Sequence, residues 1–190
     1  MTMKHFLATV AAIALGTVST VAVPPDIVQA QHPCQRGKFV PPSSQSRAYR
    51  NQRVGFSFQL PANYRAMAMP GGGIEVVDPD TFEWIQCIMR HREATELDVS
   101  PAAVYFQPVN PGRENLETLI RRQYPWIDAA FNPTTVAKQS GLRASYNENL
   151  SGKAIEDVYF LTPNRKYLIR ITGPAQGQVL NLVLSTFTLN

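Results

Sequence analysis

The N-terminal segment constrains this chain more than any other feature of the sequence. Residues 1–5 include one lysine, and residues 6–23 are uncharged and rich in Ala, Val, Leu, Ile and Thr. Val28 and Ala30 are residues that a signal peptidase accommodates, so we predict a signal peptide over residues 1–30, cleaved after Ala30. An uncleaved membrane anchor is the alternative, because an apolar run of this length just reaches across a bilayer.

Removal of the leader would leave roughly 160 residues, which is enough for one domain with its own core. The leader takes away one basic and one acidic residue, so the net charge stays at +4. The remaining basic residues are scattered along the chain and form no continuous stripe that would follow a phosphate backbone. We therefore expect an exported protein of the periplasm, the thylakoid lumen or the extracellular space that does not bind nucleic acid.

Cys34 and Cys87 are the two cysteines of the chain. An even number of cysteines in an exported protein favours a disulfide, so we predict that these two are bonded. Two free thiols are one alternative. A Cys2His2 metal site with His32 and His91 is another, although the spacing differs from that of the usual zinc motifs.

The domain organisation follows from the distribution of Pro, Ser and apolar residues. Residues 31–52 contain three prolines and a Ser-rich run, which predicts a flexible arm. Residues 53–190 are predicted to form a single globular domain. Within it, apolar alternation predicts strands over residues 54–58, 74–77 and 84–92, and the Gly71 to Gly73 run predicts a turn.

The second half of the domain contains the clearest local patterns. The spacing of Leu116, Leu119 and Ile120 predicts a helix over residues 113–124, begun by Asn110-Pro111. From residue 134 onward, closely spaced strands with a turn at Ser140-Gly141 predict an antiparallel meander that includes strands 154–161 and 167–172. The apolar tail after residue 180 fits either a helix packed on the sheet or a further strand, and the preceding Gly173-Pro174 favours the helix.

The search for chemistry finds no catalytic, cofactor or metal motif. No nucleophile elbow occurs, and His91, the candidate general base, lies between two arginines, as is typical of a solvated position. We therefore predict that the chain is not an enzyme and uses no cofactor. An enzyme would need a cleft that gathers His91 or the carboxylates of Asp78, Asp80 and Glu83, which are also a weak candidate for calcium.

Two further groups of residues bear on function. Glu156 and Asp157 are neighbours on a predicted strand, so their side chains point to opposite faces and cannot form an acid/base pair. Three aromatic residues form a binding surface if they are exposed, and otherwise pack in the core: Trp84, Tyr124 and Trp126.

The opening of the domain resembles that of PsbP-like domains. The residues that carry the resemblance are Tyr49, Gly55-Phe56-Ser57-Phe58, Leu60-Pro61 and Tyr64, and the likeness extends over residues 49–188. It implies an α+β fold in which an antiparallel β-sheet is covered by helices, an α/β/α sandwich. It also implies an exported, non-enzymatic protein-binding module, an accessory or assembly factor of a membrane complex. A periplasmic domain that binds a small ligand or lipid is the alternative function.

Overall fold

The structure of this chain is a computed structural model that describes residues 34–92, 100–148 and 152–190. The predicted signal peptide, residues 1–30, lies outside the described residues and stays a prediction. So does the role of His32, which belongs to the same undescribed segment.

Ten strands and three helices make up the described part of the chain. In chain order they are β1 (Ser46–Asn51), β2 (Phe56–Pro61), β3 (Arg65–Met69), β4 (Gly73–Val77), α1 (Pro79–His91), β5 (Ala102–Pro108), α2 (Leu116–Gln123), β6 (Asn132–Val136), β7 (Gln139–Asn147), β8 (Ala154–Leu161), β9 (Tyr167–Pro174), α3 (Gln178–Thr186) and β10 (Thr188–Leu189). Seven strands form the larger sheet in the order β3-β4-β5-β9-β8-β7-β6, and β1, β2 and β10 form a smaller one. All the paired strands are antiparallel.

The larger sheet is covered on both faces. Phe160 and Ile169 point to the face that packs against α3 and the smaller sheet, where Leu180 is fully buried. Their neighbours Tyr159 and Leu168 point the other way and pack under α2, because successive side chains of a strand alternate between its faces. The predicted α+β class, an antiparallel sheet covered by helices, is confirmed.

The flexible arm predicted for residues 31–52 is wrong over its C-terminal part. Residues 46–51 form β1, and the Tyr49 ring lies 5.1 Å from that of Phe58 on the paired strand β2. Residues 34–45 lack regular structure but are anchored, since the Tyr64 hydroxyl donates to the Val40 carbonyl at 3.0 Å. The prediction rested on the Pro and Ser content of this segment, and composition carries no information about the pairing of β1 with β2. We call residues 34–45 the arm.

The strand predicted over residues 84–92 is also wrong, because this segment belongs to α1. Asp78 caps the helix by accepting hydrogen bonds from backbone N–H groups of its first turn, and Pro79 occupies the first helical position. Ile85 and Ile88 are its buried residues, three apart as a helix requires. The sequence signal for this helix is Asp78-Pro79, a capping residue followed by a proline at the first helical position.

Elsewhere the local patterns were closer to the structure. The helix predicted over residues 113–124 is α2, but Asn115 caps it rather than Asn110. The β6–β7 turn lies at Ala137 and Lys138, both with positive φ, rather than at Ser140-Gly141. Strand 154–161 and the C-terminal helix are present as predicted. Strands β3 and β5 were not predicted.

Candidate functional site

A pocket of about 410 Å³ lies at the end of the larger sheet where β4 ends, β5 begins and β9 ends. It is bounded by α1 on one side and by the N-terminus of α3 on another. Its wall is mostly apolar and includes Phe39, Tyr64, Val77, Trp84, Ile85 and Val179. We call it the Trp84 pocket.

The arm forms one rim of the Trp84 pocket. The Arg36 guanidinium carbon lies 5.2 Å from the centre of the Trp84 ring, a cation–π contact, and its Nη2 donates to the Thr81 hydroxyl at 3.4 Å. At Gly37 an added Cβ would lie 2.1 Å from Oδ1 of Asp80. A side chain at this position would therefore require the Asp80 carboxylate to move.

A disulfide ties the arm to α1. Cys34 and Cys87 are bonded, with their Cα atoms 5.6 Å apart, and Cys34 is buried. The predicted pairing is therefore present in the structure. At the other end of the arm the Asn63 side chain donates to the Pro41 carbonyl at 2.9 Å. The rim is thus held at both ends.

Two buried carboxylates line the Trp84 pocket, and both already have partners. Glu75 accepts hydrogen bonds from the Ser100 hydroxyl at 2.8 Å and from the Tyr105 hydroxyl at 3.2 Å. Burial, reinforced by the Glu75 charge, raises the pKa of Tyr105 to about 12, so its hydroxyl remains the donor at neutral pH. The second carboxylate, Asp78, caps α1.

A second cavity of about 220 Å³ adjoins the first, and Glu75 and Ser100 line both. Beside it the Asp157 carboxylate, with no exposed surface, accepts from Arg170 and from two hydroxyls, Tyr159 at 2.6 Å and Tyr146 at 3.0 Å. We call Asp157, Arg170, Tyr146, Tyr159 and Tyr105 the Arg170 cluster. The Arg170 guanidinium also lies 5.6 Å from the Tyr105 ring centre.

The protonation states of the Arg170 cluster follow from burial and from its two charges. Burial, followed by the Asp157 charge, raises the pKa of Tyr146 to about 12 and that of Tyr159 further still. Burial is the largest single influence on Arg170 and lowers its pKa, but Asp157 and the neighbouring tyrosines together outweigh it, so the pKa of Arg170 is raised. At neutral pH the cluster therefore holds one ion pair and protonated tyrosines, and its hydrogen bonds link β7, β8 and β9.

The acidic residues considered for calcium do not come together. Asp78 is buried and caps α1, while Asp80 and Glu83 lie in the helix itself. Within residues 34–92, 100–148 and 152–190, the group of potential metal ligands that converges is a different one: Cys34, Cys87 and His91, with donor atoms within 4.8 Å of one another.

The remaining residues singled out from the sequence divide between surface and core. His91 is the exposed last residue of α1, not a residue at the edge of a strand. Trp126 is 66% exposed, whereas its neighbour Tyr124 is buried and packs edge-on against it. Trp84 lines the pocket. The Gly71 to Gly73 run connects β3 to β4, and the positive φ of its first two glycines fits the predicted turn.

Glu156 and Asp157 point to opposite faces of β8, as predicted. Glu156 lies 3.6 Å from Arg143, whereas Asp157 is buried with Arg170. The roles of Arg170 and Glu75 were not predicted from the sequence. The available signal was a charge within an otherwise apolar strand, because a charged residue buried in a sheet requires a partner.

Similarity of this chain to known proteins is found among solved structures. No protein-family model matches the sequence, and no curated protein matches it. The solution structure of the cyanobacterial PsbP of Synechocystis sp. PCC 6803 is similar over 76% of this chain and 92% of that chain, with 13% identity and a TM-score of 0.45. A crystal structure from Bacteroides thetaiotaomicron VPI-5482 is similar over 77% of this chain, with 13% identity and a TM-score of 0.44. This match spans 49% of that chain.

At 13% identity the likeness concerns the fold alone. Two features bear on location. The disulfide is typical of proteins in oxidising compartments outside the cytoplasm, in agreement with export. Among the described residues, the helices are too short or too polar to cross a membrane.

Proposed function

We propose that this chain is an exported, non-enzymatic binding module whose Trp84 pocket holds a segment of a protein partner. The observation that carries the proposal is the recess of about 410 Å³ itself, which is apolar along most of its wall and bordered by the disulfide-anchored arm. Ligand sites in proteins are typically concave, mostly apolar and about 300–1,000 Å³ in volume, with a few polar groups. The PsbP-like resemblance suggests a membrane complex as the source of the partner.

The contacts of Arg36 indicate what kind of segment fits. The Arg36 guanidinium lies over the Trp84 ring, so this face of the ring accepts a cation. Glu75 and Asp78 place negative charge in the wall of the same pocket. Val77 and Ile85 offer an apolar floor. We infer that the partner segment contributes an apolar side chain that fills the recess, next to an Arg or Lys that takes the place of Arg36 over Trp84. Aromatic residues and arginine carry much of the energy at such interfaces.

The polar groups of the pocket support recognition rather than catalysis. Glu75 accepts two internal hydrogen bonds, and Asp78 is occupied by the N-terminus of α1. A general base needs a free acceptor within reach of the substrate, and these groups are already committed within the protein.

The test compares two tryptophan variants. A library of displayed peptides is selected on the mature chain, and binding of the enriched peptides is measured by calorimetry. We expect them to share an apolar residue beside Arg or Lys, and we expect Trp84→Ala to weaken binding by about 2 kcal/mol or more. Trp126→Ala is the matched control, since Trp126 is 66% exposed and does not line the pocket. Equal affinities of the two variants would refute the site.

Two further measurements test whether the protein modifies the peptides it binds and whether it is exported. Peptides recovered after long incubation with the protein should have unchanged masses, and cleavage or modification would contradict the proposal. N-terminal sequencing of the native protein should begin at Gln31. An intact Met1 would contradict cleavage of a signal peptide.

A small apolar ligand or lipid is the second candidate occupant, favoured by the volume and apolar wall of the same pocket. Native mass spectrometry of the protein purified from its own host decides between the two. A stoichiometric small molecule that is absent from Trp84→Ala would favour the ligand. An empty wild-type protein that binds the selected peptides would favour the protein partner.

A further inference from the structure

The geometry points to a copper site that forms when the disulfide is reduced: we propose that Cys34, Cys87 and His91 then bind one Cu(I) ion. The donor atoms of these three residues lie within 4.8 Å of one another. Cys87 and His91 are four residues apart on α1, so they share one face of the helix. Cys34 reaches the same point from the arm. This inference is independent of the occupant of the Trp84 pocket.

The donor set favours Cu(I) over other metals. Two thiolates and one imidazole are soft ligands, which select copper(I) and zinc over the hard cations. A structural zinc site is closed by four protein ligands, and in the part of the chain that the structure describes the group contains three. The site also lies in the last turn of α1, where the helix dipole favours a cation.

The neighbouring charges do not block the site. Arg90 and Arg92 flank His91 in sequence and are exposed. Residues next to one another on a helix do not face each other, and Arg92 already leaves the helix in a left-handed conformation with φ of 55°. The imidazole at the surface therefore offers an entry path for the metal, while Cys34 is buried beneath it.

Formation of the site has two balanced steps. An external dithiol exchanges with the Cys34–Cys87 bond: the S–S bond breaks, two cysteine thiols form, and the dithiol is oxidised to its own disulfide. Cu(I) then binds both sulfurs and the imidazole, and the two thiol protons pass to solvent without any change in the oxidation state of copper. The ion thus replaces the disulfide as the link between the arm and α1.

The test uses the mature chain in both redox states. Protein reduced with a phosphine under anaerobic conditions, and oxidised protein as the control, are titrated with Cu(I) in competition with a chromogenic chelator. We expect one Cu(I) per reduced chain and none held by the oxidised chain. Equal binding by the two forms would overturn the proposal.

The role of His91 separates this site from a simple pair of thiols. We expect reduced His91→Ala to bind Cu(I) about tenfold more weakly or worse, and Arg92→Ala, the exposed neighbour, to bind as the wild type does. Unchanged affinity of His91→Ala would overturn the assignment. Near-ultraviolet circular dichroism checks the fold of the reduced protein. If it unfolds, recovery of the native spectrum with copper supports the site, and failure to recover it refutes the site.

Discussion

The ion pair between Asp157 and Arg170 allows the cost of one substitution to be worked out from the structure. The Asp157 side chain has no exposed surface, that of Arg170 is 17% exposed, and their closest N–O distance is 3.0 Å. Asp157→Ala would leave the guanidinium without its counter-charge and would remove the acceptor for Tyr146 and Tyr159. Breaking a buried pair in this way costs about 3–5 kcal/mol. Since domains of this kind are stable by about 5–15 kcal/mol, the loss is a large fraction of the total.

An exposed ion pair on α2 is the matched control. Glu117 and Arg121 lie 2.8 Å apart, closer than the buried pair, but their side chains are 50% and 46% exposed. Exposed pairs four residues apart on a helix contribute about 0.3–0.5 kcal/mol. The comparison of Asp157→Ala with Glu117→Ala therefore tests whether burial, rather than distance, sets the energy.

Urea unfolding at neutral pH, followed by far-ultraviolet circular dichroism and by tryptophan fluorescence, measures both variants. We expect Asp157→Ala to be less stable than Glu117→Ala by about 3 kcal/mol or more. A difference below about 1 kcal/mol would refute the reasoning. The double variant Asp157→Leu with Arg170→Met should recover stability relative to Asp157→Ala, because it leaves no unpaired buried charge.

Two further predictions concern alkaline pH and the disulfide. The pKa values of Tyr105 and Tyr146 are raised from the usual 10 to about 12, so their contribution to stability is complete below about pH 10 and is lost as the pH rises through 12. Urea midpoints measured across this range should therefore fall, and they should fall less steeply in Tyr146→Phe. A midpoint that does not change with pH would contradict the pKa shifts. The Cys34–Cys87 bond spans 53 residues. Replacing both cysteines by serine should therefore lower the free energy of unfolding by about 4 kcal/mol, because the unfolded chain gains the entropy of the opened loop. A loss below about 1 kcal/mol in the same assay would count against an anchored arm.

Several elements of the fold were predictable because their signals are local. The helix α2 combines an apolar stripe with acidic residues in its first turn and basic residues in its last, Arg121 and Arg122. Strand β8 and the C-terminal helix α3 also follow from spacing within one short segment. These patterns depend on which face of a helix or strand is apolar, a property that the segment itself carries.

Other elements depended on contacts that no local pattern contains. The segment from Trp84 onward alternates in a way that also suits a strand, and the choice in favour of α1 rests on the cap at Asp78 and on burial of Ile85 and Ile88 beside the sheet. Strand β1 lies in a segment whose composition predicts disorder, and it is ordered because β2 supplies its hydrogen-bond partners.

What the sequence determined by itself was the class of the fold, the pairing of its two cysteines and the periodicity of its strongest segments, since each depends on residue types or on neighbours along the chain. The tertiary structure alone decided the Trp84 pocket and the Arg170 cluster. The pocket brings together residues far apart in sequence, such as Arg36 and Trp84, and the cluster joins Asp157 of β8 to Arg170 of the neighbouring strand β9. Such sites arise because folding removes charged and aromatic side chains from water, and each must then find a partner that only the packed chain provides.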